Sequence, residues 1–149
     1  MSATIIDIAD DVVTKINAAT LSISVTAVRA YVPKFDLHSD ATVQIKVVPR
    51  SDSRVMQDQA NDECQTIIDV AVYKKLQNDL ADEATEVDGL LVLCDEIRKT
   101  LNRVALAAPL DATCIAVTQE PIYGVDEMDE HRIFLSVLSF TYYATVAIA

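Results

Sequence analysis

The sequence predicts an α+β fold: a mostly antiparallel sheet with two helices packed on one face, in the order α-β-β-β-α-β-β, closed by a long C-terminal strand. Three observations predict it. Ile133 to Ile148 reads as one strand, with Phe134, Ser136, Leu138, Phe140, Tyr142, Ala144, Val146 and Ile148 on one side and hydroxyls beyond Val137 on the other. Apolar residues recur at helical spacing in two separate stretches. The other strands come as hairpin-like neighbours with a single long helix between them. At about 3.3 Å per residue the last strand would reach roughly 50 Å, more than one small domain covers. Part of it is expected to project, as a ribbon or into a neighbouring subunit.

The first helix is read over Thr4 to Ala18, where Ile5, Ile8, Ala9, Val12, Val13 and Ile16 form the apolar stripe. Thr4 with Asp7 resembles a capping box, and Lys15 suits the negative end of the dipole. Ser22 to Val32 alternates as a strand closed by Pro33, and Thr42 to Val48 as a second strand stopped by Pro49. Arg50 to Glu63 has almost no apolar residues and no clear period, so it reads as a long, mobile loop. Gln65 to Tyr73 is a third strand, and Leu76 to Ala84 is open between loop and extra turn. The second helix is read from Glu86 to about Leu106, with Val87, Leu90, Leu91, Cys94, Ile97, Leu101 and Val104 as its stripe and Thr85 with Asp88 as a capping box. Gly89 inside it suggests close packing. Cys114 to Glu120 is a fourth strand, and Pro121 to His131 an acidic loop.

Composition narrows the function classes. A chain of 149 residues with 51% hydrophobic content fits one domain with a real core. A formal charge of −11 argues against a surface that grips DNA or anionic lipid by neutralising phosphates. No apolar stretch approaches the roughly 20 residues that span a bilayer. Met1 to Asp11 lacks the pattern of a signal peptide, so no membrane partner is expected. Cys64, Cys94 and Cys114 fit neither a disulfide framework nor a zinc site and read as reduced core thiols.

No catalytic constellation emerges. Gly89 and Gly124 are isolated, so there is no phosphate cradle. His38 and His131 lie in predicted loops without a nucleophile that spacing identifies. The segment Asp126-Glu127-Met128-Asp129-Glu130-His131 carries ligand types for a cation but lacks calcium-loop spacing, and a solvated or partner-facing acidic loop is the better reading. The expectation is a non-enzymatic chain with no cofactor and no metal.

Several stretches resemble one group of small proteins of long-tailed phages and prophages. They are Val28 to Leu37 (VRAYVPKFDL), Val43 to Arg50 (VQIKVVPR), Ile67 to Lys75 (IIDVAVYKK), Glu120 to Tyr123 (EPIY) and Phe134 to Tyr142 (FLSVLSFTY). In this order they are similar to the tail terminator, or tail completion, family of the head-to-tail neck. The resemblance implies a homo-oligomeric, usually hexameric, ring that caps the tail tube and later joins the head connector or stopper protein. Genomic DNA would pass through the lumen without specific binding. Tape measure protein is a further implied neighbour, and the virion is the implied location after synthesis in the host cytoplasm. The alternatives are another connector component, such as a stopper or adaptor, or a non-viral cytosolic oligomerisation module.

Within that picture Arg50, Arg54 and Asp58 are the expected subunit or tube contacts, because the family's loop between the second and third strands orders on ring formation. Asp126, Glu127, Asp129 and Glu130 are a candidate charged docking surface. Phe140, Tyr142 and Tyr143 are expected where the long strand leaves the core.

Overall fold

The computed structural model describes residues 4–31, 43–76, 83–106, 112–120, 122–123 and 132–147. Its elements run α1 (Thr4–Ala18), β1 (Ala27–Arg29), β2 (Gln44–Met56), β3 (Asn61–Lys75), α2 (Glu83–Leu101), β4 (Thr113–Gln119) and β5 (Ile133–Ala147). The strands form one sheet in the order β1-β2-β3-β5-β4. Only β1 and β2 are parallel; β2–β3, β3–β5 and β5–β4 are antiparallel. This is the α+β architecture that the sequence predicts.

Both helices bury their stripes against the same sheet face. Ile8, Ala9, Val12 and Ile16 of α1 and Val87, Leu90, Leu93, Cys94, Ile97 and Leu101 of α2 meet Ile45, Val47, Ile68, Val70, Val72, Phe134, Leu138, Phe140 and Tyr142 in one cluster. Alternation decides which strand residues enter it: in β5 the even positions from Phe134 to Ala144 are buried and the odd ones only half-buried. Burial of a large apolar side chain contributes about 1.5–3 kcal/mol, so this seam dominates the stability of the fold.

Polar pairs fix the elements around the seam. Asn17 acts as a peptide mimic at the end of α1: its Oδ1 accepts from Ala27 N at 2.8 Å and its Nδ2 donates to Ala27 O at 3.3 Å, which seats β1. Arg29 then pairs with Asp10 at 2.9 Å. Lys74 at the end of β3 reaches Glu86 in the first turn of α2 at 2.9 Å, with both side chains largely withdrawn from solvent.

Several expectations are corrected. Arg50 to Glu63 is not a long loop: β2 runs on to Met56 and β3 begins at Asn61, leaving a turn over residues 57–60. Pro49 does not stop β2 but sits at a register shift between Pro49 and Ser51, where an irregular edge tolerates its missing N–H. Of the strand expected over Ser22 to Val32, only Ala27–Arg29 is strand among the described residues; Leu21, Ile23 and Val25 instead pack against the core as an irregular segment. The second helix starts and ends earlier than predicted, so Thr85 lies inside it rather than capping it, and Val104 lies past its end. A Cβ added at Gly89 would meet nothing within 4 Å, so no close packing demands that glycine.

Candidate interaction surface: an open sheet face and a projecting ribbon

With both helices on one side, the opposite face of the sheet carries the odd residues of β3 and β5, of which Ala71 and Tyr73 are buried and Ile67, Asp69, Ser139 and Thr141 half-buried. A polar row crosses it. Ser139 Oγ donates to Asp69 Oδ1 at 2.7 Å, and Arg50 Nη1 stands 3.6 Å from the same carboxylate oxygen and 3.5 Å from Ser139 Oγ. Register extends the row to Thr118, which is opposite Ser139. Arg50, Ile67, Thr118, Glu120, Ser139 and Thr141 line a shallow depression here.

The sheet narrows at one end into a three-stranded ribbon. The pairing of β1 with β2 covers Ile45 to Val47, and that of β4 with β5 ends at Thr113 opposite Tyr143. Beyond these limits β3 still pairs on both sides, Asn61 with Ala147 and Asp62 with both Met56 and Val146. The ribbon's apolar tip is open to solvent: Val55 is 61% and Met56 76% exposed. Asp58 builds the turn, accepting from the Ala60 and Asn61 backbone N–H groups at 2.8 Å each. These bonds, the Ala60 one foremost, hold its carboxyl below the ordinary value. Thr145 Oγ1 donates to Gln57 Oε1 at 3.2 Å and ties β5 to the turn.

At the root of the ribbon, on the helix side, Asp52 Oδ1 accepts from Cys64 Sγ at 3.0 Å and from Thr66 Oγ1 at 3.2 Å, while Arg54 Nε lies 3.4 Å from Asp52 Oδ2. Burial, and then the bond to Asp52, push the Cys64 thiol up, so this pair keeps the sulfur protonated rather than nucleophilic. Burial likewise raises Cys114, and raises Cys94 to about 11. Among the described residues no group of three His, Cys, Asp or Glu could hold a metal ion, and no helix is long and apolar enough to cross a membrane.

The sequence-predicted residues divide in three. Arg50, Arg54 and Asp58 lie on or beside the ribbon, with Arg50 on the open face, Arg54 at the root and Asp58 in the turn. Phe140 and Tyr142 are 0% and 1% exposed and serve the core, so their side chains offer no surface to a neighbour; Tyr143, opposite Gln65, is half-buried. Asp126, Glu127, Asp129 and Glu130 lie outside the described residues, as do His38 and His131. Sequence reasoning missed Asp69 and Ser139, although an acid within the alternation of Ile67, Ala71 and Tyr73 signals a polar spot on a sheet face.

The fold has a counterpart among solved structures. The chain matches a chain of the virion of a native gene transfer agent particle with a TM-score of 0.52, over 98% of this chain and 99% of that one. Identity is 10%, so the likeness shows a shared fold and no residue-level correspondence. No family model matches the sequence, and no curated protein matches it.

Proposed function

We propose that the protein is a structural component of a phage-like virion, and specifically a tail terminator that closes the tail tube as a homo-oligomeric, hexameric ring. The observation that carries this is the end-to-end fold likeness to a chain of a gene transfer agent virion. The resemblance of the strand sequences to the terminator family, drawn from separate parts of the chain, supports the finer assignment. Its partners are then further copies of itself, the tail tube protein on one ring face, the connector or stopper protein on the other, and tape measure protein near the lumen.

The mechanism is geometric. A heterologous contact that closes after a fixed number of copies makes a ring, and a ring with two unlike faces stops a tube whose protein fits only one of them. The charge of −11 per chain suits a lumen that DNA crosses without adhering. Light scattering coupled to size exclusion over a concentration series, with negative-stain images, tests this on the protein alone and mixed with purified tail tubes. A species of about six subunits with a central hole, capping tube ends in the mixture, is the expected result. A compact dimer that leaves tubes uncapped would instead mark an oligomerisation module unrelated to tails.

A further inference from the structure

Two stretches of sheet edge stay uncovered among the described residues. On one side β1 and the Ala30 N to Val47 O bond cover β2 only as far as Val47. On the other, the Ala105–Thr113 bridge with the bonds Arg103 N to Cys114 O and Leu106 N to Ala112 O covers β4 only as far as Cys114. The open parts are therefore Val48 to Met56 and Ile115 to Gln119.

These edges match in direction and in height. Three successive antiparallel pairings separate β2 from β4, so the two edges run in opposite senses. Register places Val48, Asp69, Ser139 and Thr118 in one row, and Ser51, Ile67, Thr141 and Ala116 in the row above. Copies set side by side at one level thus bring a β4 edge against a β2 edge antiparallel, with all helices on one side and all open faces on the other. Arg50 and Ile115 are the residues left unpaired at the two register shifts, and Ile115 is 53% exposed. Such bulges and Pro49 blunt both edges against arbitrary strands.

We propose that neighbouring subunits join head to tail, the β4 edge from Ile115 to Gln119 of one copy lying against the β2 edge around Val48 to Ser51 of the next. This rests on the ring reading above and names the joint that closes it. Ser51→Cys and Ala116→Cys in one chain test it. Both residues are exposed, and within a chain they stand three strand spacings apart, roughly 14 Å, beyond the reach of a disulfide. The native cysteines are all buried. Oxidation of the ring fraction, formed with tail tubes present if the free chain is monomeric, is expected to give a covalent ladder up to the full ring. Each single-cysteine variant should stay monomeric on the gel. Rings that stay unlinked would overturn the joint and leave the ring reading standing. Dimers from Ser51→Cys alone would replace it with two-fold pairing. No ring under either condition would bring down the ring reading itself, and the joint with it.

Discussion

Tyr142 occupies a place in the core that suits its ring better than its hydroxyl. The residue is 1% exposed, and its oxygen has no hydrogen-bond partner among the described residues. Burial, with Cys114 and Asp11 adding smaller contributions, pushes its pKa far up, so the hydroxyl stays neutral. A buried hydroxyl without a partner costs about 1–3 kcal/mol of desolvation. Tyr142→Phe should therefore raise stability by about 1 kcal/mol, read as a higher urea midpoint at unchanged slope. Asp58 makes the opposite case, an exposed acid whose bonds are all made. Its folded pKa lies below the ordinary value of 3.8, so its contribution to the turn is complete above that value and lost as pH falls through the folded pKa. Amide exchange should show the Ala60 and Asn61 N–H groups losing protection in that acidic window. In Asp58→Asn, which keeps the acceptor and removes the titration, the pH dependence of that protection should vanish.

At the scale of elements, legibility follows burial. The α1 helix and the strand β5 could be read because the side of each that meets the core is apolar, and the structure keeps their boundaries almost to the residue; β4 keeps its bounds to within a residue, but its Ile115 is left exposed at a register shift. The stretch from Arg50 to Glu63 could not, because in a ribbon largely open to solvent neither face needs apolar residues and the two-residue period disappears. What holds it is register with β3 and β5, which no local pattern encodes. Ser22 to Thr26 failed in the other direction: its apolar residues Ile23 and Val25 serve packing against the core without a strand partner. The Arg50–Asp69–Ser139 group was illegible for the same reason as the ribbon, since three strands must align before those atoms meet. Gly89 shows a local signal misread. A glycine in a helix interior costs about 1 kcal/mol relative to Ala unless close packing requires it, and here an added Cβ meets nothing. Gly89→Ala should raise stability by up to about 1 kcal/mol and leave assembly unchanged, measured by thermal melting beside size exclusion.

For the whole molecule, the decisive contrast is between a densely buried seam and a ribbon that projects beyond it with apolar residues at its tip. The chain carries a charge of −11, so copies repel one another at long range, and attraction must come from short-range apolar and main-chain contacts. Val55 and Met56 are placed to supply such contacts, being 61% and 76% exposed and held out on a strand whose turn is fixed by Asp58. Exposed side chains contribute little to the stability of a free chain, and their replacement usually shifts it by no more than about 0.5 kcal/mol. Buried in a joint between subunits, each would contribute about 1.5–3 kcal/mol, a factor of about ten or more in association. Val55→Ser with Met56→Ser should therefore leave the urea midpoint of the monomer in place and, on the proposed ring reading, weaken or abolish ring formation. Equal loss of monomer stability would put the tip inside the fold's own core. Unchanged ring formation would leave the proposed assembly to the sheet edges alone.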